Sequence, residues 1–272
     1  MSTLNNPRKT NDISVYDIVI VGAGIAGLTA AIYATRAGKS TLVLEEKICG
    51  GQIINSVNIE NWPGALGISG TELILNTQKQ AQELGATIEF ESVEKIEKLG
   101  ASDDVATKGA RFKITTDDSI YAAKNVIIAV GAEPRRLSAE QMQKVGKRPV
   151  SYCATCDGAL YKGKPVVVVG SGKSAEAEIK HLEGIASKVY HIHHDDDIPE
   201  DAVAVFVAIG RVPSTDFLNG IVELDEKGYI VAGENCKTSC EGLYAIGDCR
   251  TKAVRQLVTA AGDAAVAIAA IV

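Results

Sequence analysis

Apolar residues fall in two patterns along this chain, and the alternation between them marks its elements. Short continuous apolar runs read as strands buried on both faces of a parallel sheet: Tyr16–Val21 (YDIVIV), Thr41–Leu44, Lys124–Val130 (KNVIIAV), Pro165–Val169 (PVVVV), Lys188–His193 (KVYHIH) and Ala204–Ile209 (AVFVAI). Weaker strand-like segments lie at Thr87–Phe90, Arg111–Thr115, Ser119–Tyr121 and Gly228–Ala232. Helical stretches separate them: LTAAIYATRAG from Leu28, a segment from Ser69 to near Gly85, Glu176–Ile185, and the Ala-rich tract Val258–Val272. Ser69 with Glu72 three residues on has capping-box spacing. The last tract is 15 residues long and interrupted by Asp263; it is too short to span a bilayer and is predicted to be a buried helix. Residues 1–14 are polar, read as a mobile tail, and lack the apolar core of a signal peptide. Alternating strands and helices predict an α/β fold.

Two strand-to-helix junctions carry chemistry. Gly22-Ala-Gly-Ile-Ala-Gly27 follows the first strand directly, and Glu45 ends the second strand 21 residues after Gly24. This is the G-x-G-x-x-G dinucleotide fingerprint in its proper setting. Gly22 makes the tight turn, Gly24 lets backbone approach a pyrophosphate, and Gly27 lets helix pack on strand. The helix N-terminus faces the phosphates, and Glu45 can accept a ribose hydroxyl. A second copy, Gly170-Ser-Gly-Lys-Ser-Ala175, follows Pro165–Val169, so the chain reads as a duplicated dinucleotide-binding fold. It is not a P-loop, which would require glycine where Val167 stands.

The second copy is abbreviated. Only 40 residues separate Gly170 from Gly210, which leaves no room for the third strand of a nucleotide-binding half. Where its second strand ends lies an acidic turn, His194-Asp-Asp-Asp197. Negative charge there would repel the 2′-phosphate of NADPH, while a carboxylate could accept the ribose hydroxyl of NADH. The neighbouring His191, His193 and His194 read as a surface strand end rather than a metal site.

Between the two fingerprints stands Ser151-Tyr-Cys-Ala-Thr-Cys-Asp-Gly158, with Cys153 and Cys156 spaced C-x-x-C and Asp157 directly after. Thiols at this spacing can close a disulfide and often have lowered pKa values, and an adjacent acid can manage the protons of a dithiol–disulfide couple. Half a zinc site or two structural cysteines are the plainer readings. The other candidate pair, Cys236 and Cys240, is spaced C-x3-C with no histidine near it, which weakens zinc. Six cysteines and no export signal fit a reducing cytosol, where C-x-x-C is catalytic more often than structural. The roles of Cys49, Cys236, Cys240 and Cys249 stay open at this level.

The net charge of −6 gives no field for nucleic acid. Residues 132–164 depart from it: Arg135, Arg136, Lys144, Lys147, Arg148, Lys162 and Lys164 face only Glu133, Glu140 and Asp157. Such a stretch is either a solvated linker face or a docking surface for an acidic partner.

These motifs together resemble the low-molecular-weight thioredoxin reductases. The matches are GAGIAG at 22–27, GGQ at 50–52, ENWPG at 60–64, CATCDG at 153–158, GSGKSA at 170–175, VAIG at 207–210, GD at 247–248 and RQ at 255–256. The resemblance implies a cytoplasmic homodimer with two Rossmann-like domains. A discontinuous FAD-binding domain would take residues 1–133 and 211–272, and a shortened NAD(P)-like domain carrying the C-x-x-C would take 134–210. FAD would lie on Gly22, Gly24, Ile25, Ala26, Gly27, Glu45, Glu46, Gly50, Gly51, Gln52, Asn61, Gly131, Gly247, Asp248, Arg255 and Gln256. Cys156 would face the flavin, Cys153 would exchange with a thioredoxin-like protein, and Asp157 would be the acid.

Two departures qualify the resemblance. The basic cluster of NADPH-using members is replaced by His193-His194-Asp195, and the inserted domain is short. The chain looks closest to the compact ferredoxin-dependent flavin thioredoxin reductases, whose electron donor is reduced ferredoxin. The basic 132–164 stretch suits such a donor, whereas the retained G-x-G-x-x-A favours an NADH-dependent reductase. A dithiol oxidase using O2 and a non-catalytic flavin redox sensor are further alternatives.

Overall fold

The computed structural model describes residues 13–100, 109–193, 196–218 and 220–272. Most of the expected tail (residues 1–12), and His194 and Asp195 of the acidic turn, lie outside them. The chain forms two compact units, one holding the residues up to Ala132 and from Pro213 on, the other Glu133–Val212.

In the first unit, β1 (Val15–Val21) runs into α1 (Ile25–Arg36), and β2 (Thr41–Leu44), α2 (Gly70–Glu83) and β3 (Thr87–Glu89) follow. Then come β4 (Val93–Lys98), β5 (Phe112–Thr116) and β6 (Ile120–Ile128), and after the second unit β13 (Leu243–Ala245) and α6 (Leu257–Ile271). Strands β3-β2-β1-β6-β13 are all parallel, while β4 and β5 extend the N-terminal half of β6 as an antiparallel meander. Ile18, Val19 and Ile20 of β1 are fully buried, which places β1 at the centre of the sheet. Burying each such side chain contributes roughly 1.5–3 kcal/mol. Helices α1 and α6 share one core with one sheet face, through Leu28, Ala31, Ala264, Ala267 and Ile268. The small side chains of both helices allow that close packing.

In the second unit, β8 (Val150–Ser151), β9 (Pro165–Val169), β10 (Lys188–Ile192) and β11 (Val205–Val207) form a parallel sheet in the order β10-β9-β11-β8. Helix α5 (Lys173–Glu183) makes the β9–β10 crossover, and the sheet ends at β10. Two further helices, α3 (Ala139–Val145) and α4 (Ala154–Asp157), precede β9. The chain leaves the first unit through β7 (Ala132–Pro134) and returns through β12 (Arg211–Pro213), which pair with each other.

Several elements differ from the sequence reading. Ser119–Tyr121 and Lys124–Val130 are one strand, β6, because Ala122 and Ala123 are buried between β1 and β5 and carry the pairing through. Strand β4 leaves no apolar run in the sequence, because only Ile96 of VEKIEK is buried. Helix α3 is set by a capping box between Ser138 and Gln141. Gly228–Ala232 is not a strand; Ile230 makes only isolated bridges to Leu224 and Arg250. The basic 132–164 stretch is not uniformly free either. Arg148 turns inward and donates to the carbonyls of Val145, Pro199, Glu200 and Ala202, so it is a structural residue. Lys144 pairs with Asp197 at 3.3 Å. Arg135, Arg136, Lys147, Lys162 and Lys164 stay exposed. Among the described residues no helix is long and apolar enough to cross a membrane.

The Ser69 hydroxyl accepts the Glu72 N–H at 3.1 Å and caps α2. Ser69→Ala is expected to cost about 1 kcal/mol. Urea denaturation should show this as a lowered midpoint with an unchanged slope.

Candidate functional site

The loop after β1 is shaped by backbone crossings too close for a side chain. A Cβ on Gly22, which sits at φ +103°, would lie 2.6 Å from the Ala129 carbonyl oxygen, and one on Gly27 would lie 1.9 Å from that of Gly22. Gly24 is different: a Cβ there would meet nothing within 4 Å, so the space before α1 is open. Glu45 reaches back from the end of β2, and its Oε2 accepts the Ala23 N–H at 2.7 Å. The Gly50 N–H donates to the Ala23 carbonyl at 2.9 Å, which draws the GGQ segment onto the same loop. Ile25 and Ala26 are buried, and a Cβ on Gly247 would stand 3.1 Å from that of Ala26. The turn carrying Asp248 therefore lies against the start of α1.

The remaining predicted residues divide. Gln52 donates to the Ala132 carbonyl at 2.6 Å, next to Gly131, and Asn61 donates to Gln256 Oε1 at 3.3 Å, joining residues 195 apart in sequence. Gln256 also caps α6. Arg255 stacks on Tyr229 at 4.3 Å and donates to the carbonyls of Asp248, Arg250 and Lys252, so its guanidinium holds the loop in place. Glu46 is exposed beside Lys47. Open space at Gly24, Gly51 and Gly131, the start of α1 directly after Gly24 and Glu45 at the end of β2 fit a dinucleotide with its pyrophosphate at α1.

An acidic residue that the sequence reading treated as an interruption underlies this cradle. Asp263 is buried on α6 and accepts from Arg250 at 2.9 and 2.7 Å, Lys252 at 2.8 Å and the Gly247 N–H at 2.9 Å. Burial pushes its carboxyl up, but the bonds from Arg250, Lys252 and Gly247 together outweigh that and hold it below its usual value. A lone carboxylate inside an apolar helix is the one sequence signal that could have found this network.

The second unit holds the cysteines. Cys153 and Cys156 form a disulfide with their Cα atoms 5.3 Å apart. Cys153 caps α4, and its sulfur accepts the Cys156 N–H at 3.2 Å. Cys156 is exposed and Cys153 half-buried. The buried Ser151 hydroxyl donates to Asp157 Oδ2 at 2.6 Å and accepts the Cys153 N–H at 3.1 Å, tying the acid to the first cysteine. Glu178 of α5 accepts the Ala154 N–H. Sequence reasoning assigned no role to Ser151 or Glu178, because neither belongs to a spaced motif. His191 Nε2 lies 2.9 Å from the Gly170 carbonyl, which gives it a local partner beside the second fingerprint. Among the described residues no three His, Cys, Asp or Glu side chains converge as a metal site.

Residues 16–202 and 175–265 match the family model of the pyridine nucleotide-disulphide oxidoreductases. The chain belongs to that family. It is 39% identical over 300 residues to the thioredoxin reductase of Treponema pallidum, covering 93% of this chain and 94% of the relative. That alignment is longer than the 272-residue chain, so the relative carries positions this chain lacks. The structure of thioredoxin reductase from Streptococcus pyogenes superposes with a TM-score of 0.84 at 31% identity, covering 96% of this chain and 98% of that one. A ferredoxin-flavin thioredoxin reductase from Clostridium acetobutylicum gives a TM-score of 0.59 at 27% identity, covering 95% and 96%. The chain is thus a thioredoxin reductase-like, FAD-dependent oxidoreductase.

Within this oxidoreductase the other buried cysteines are shielded. Burial pushes Cys49 and Cys236 up to about 11 and Cys249 up to about 12. They are protonated at neutral pH and do not compete with the disulfide pair.

Asp263→Asn leaves Arg250 and Lys252 without their full counter-charge and is expected to cost about 3–5 kcal/mol. Denaturant titration should show the loss, and bound FAD should dissociate more readily as the Gly247 turn loosens. In the unsubstituted protein this stabilisation is complete above the ordinary carboxylate pKa of about 4. It is lost as pH falls through the lowered folded value.

Proposed function

We propose that this oxidoreductase reduces a thioredoxin-like protein disulfide through Cys153 and Cys156, and that its electrons come from a small acidic carrier of the reduced-ferredoxin kind rather than from NADPH. The observation that carries the donor reading is the shortened second unit. Its sheet stops at β10, and the chain passes from β10 to β11 with no third strand or second crossover helix among the described residues. The exposed Arg135, Arg136, Lys147, Lys162 and Lys164 offer positive charge for an acidic partner. The likeness to the clostridial ferredoxin-flavin enzyme supports the same reading. In this reading the first unit is the FAD domain, the second is the redox domain, and the protein works as a cytoplasmic homodimer, the last checked by light scattering.

FAD, when bound, supplies a carrier that can hold an electron pair between donor and disulfide. Gly22–Gly27, Glu45, Gly50–Gln52, Asn61, Gly131, Gly247–Asp248 and Gln256 would hold it. The chain's own chemistry is thiol exchange. In the dithiol form, Cys153 sulfur attacks the substrate disulfide, forming a mixed disulfide and releasing one substrate thiolate. Cys156 sulfur then attacks Cys153, closing the internal disulfide and releasing the second thiolate. The two substrate sulfurs gain the two protons that the enzyme thiols lose. In this reading Asp157 passes a proton beside Cys153, a role supported by the Ser151 hydroxyl that bonds both residues.

The second reading is NADH dependence. It is favoured by the retained Gly170–Ala175 loop, where Gly172 faces open space.

Anaerobic titration of the flavin absorbance separates the two. Bleaching by reduced ferredoxin and not by NADH or NADPH is expected; fast bleaching by either nucleotide overturns the donor assignment. For the thiols, Cys156→Ser should trap a mixed disulfide with thioredoxin through Cys153, seen by mass spectrometry. Trapping by Cys153→Ser instead would reverse the two roles.

A further inference from the structure

We propose that Glu178 is a positioning residue for the Cys153–Cys156 couple, seating the cysteine turn on α5 and setting how readily its thiols ionise. The proposal rests on the reading that this pair is the redox couple. It also explains why a shortened dinucleotide unit keeps its G-x-G-x-x-A loop.

The cysteine turn is fixed to α5 at both ends. At its start, the Ala154 N–H donates to Glu178 Oε2. The Ala154 methyl is fully buried in one cluster with Ala175, Leu182 and Phe206. At its end, a Cβ on Gly158 would stand 3.1 Å from Leu182 Cδ2. Ala175 closes the second fingerprint, so the residue that lets α5 approach β9 also belongs to the buried cluster that holds Ala154, the residue following Cys153. At the head of the same loop, a Cβ on Gly170 would fall 2.4 Å from the Ala208 carbonyl oxygen. Changing the loop would move α5, and with it the seat of the disulfide. The motif has a use here that requires no nucleotide.

Glu178 also brings charge. Asp157 pushes the Glu178 carboxyl up by its charge, while Arg211 and His181 act on it in the opposite direction. Burial is the largest influence on the Glu178 carboxyl and raises its pKa. Glu178 holds the amide of the residue that follows Cys153, and a carboxylate there opposes negative charge on that cysteine and so holds its thiol pKa up.

The test is the pH dependence of iodoacetamide alkylation of Cys153 in the dithiothreitol-reduced FAD holoenzyme, read by peptide mass mapping. Cys49, Cys236 and Cys249 are buried and protonated and should stay silent. Glu178→Gln keeps an acceptor for Ala154 and removes the charge. Its Cys153 inflection should move down by about half a unit to one unit. That corresponds to roughly three- to ten-fold faster alkylation below the inflection. Glu178→Asp should return the inflection toward that of the unsubstituted protein. A Glu178→Gln profile superimposed on the unsubstituted one, with FAD absorbance and circular dichroism intact, overturns the proposal. Full disulfide reductase turnover by Cys153→Ser would instead overturn the redox reading, and the alkylation profile does not depend on turnover.

Discussion

The structure depends on backbone approaching backbone where no side chain would fit. Gly27 passes Gly22 so closely that a methyl group would overlap its carbonyl oxygen, and this contact brings the first turn of α1 down onto the end of β1. Everything in the larger unit that faces a dinucleotide is referred to that point. Glu45 and Gly50 bond to Ala23 within the loop, and Gly247 packs on Ala26 one step later. The smaller unit repeats the device with Gly170 against Ala208. A helix held this way has its N-terminal N–H groups fixed in direction, which is what a phosphate needs.

The parts legible in the sequence were those written as local patterns. The buried parallel strands, both glycine loops and the C-x-x-C all appear as short runs with a physical reason for each position. What could not be read was what distant residues do to one another. Asp263 looked like a flaw in an apolar helix until Arg250 and Lys252, more than ten residues earlier, closed on it. Glu178 sat among helix surface residues until the fold laid Ala154 over it. Arg148 counted as one more surface cation, although its donors are taken up by its own chain. Strand β4 and helix α3 were missed for a related reason: each buries only one side chain, so neither leaves a periodic apolar trace.

Charged groups do different work in the two units. In the first, a buried acid with two cations locks a turn and is saturated with donors. In the second, the acids stand beside a disulfide and each is held by one neighbour, Ser151 for Asp157 and Ala154 for Glu178. The first arrangement favours permanence, and the second leaves carboxyl oxygens able to respond to a change of charge on sulfur.

The position of β10 at the end of its sheet has a cost of its own. In a doubly wound sheet the second strand ordinarily has neighbours on both sides; here, among the described residues, one row of β10 backbone groups has none in its sheet. Such an edge is a template for pairing with another chain unless it is made unattractive. The residues meet that need: β9 is almost wholly buried, whereas β10 exposes Lys188 and His191, and Lys188 and Asp201 both bond to the Tyr190 hydroxyl on that strand. A short sheet therefore has a margin to protect as well as a core to fill, and polar side chains line this one.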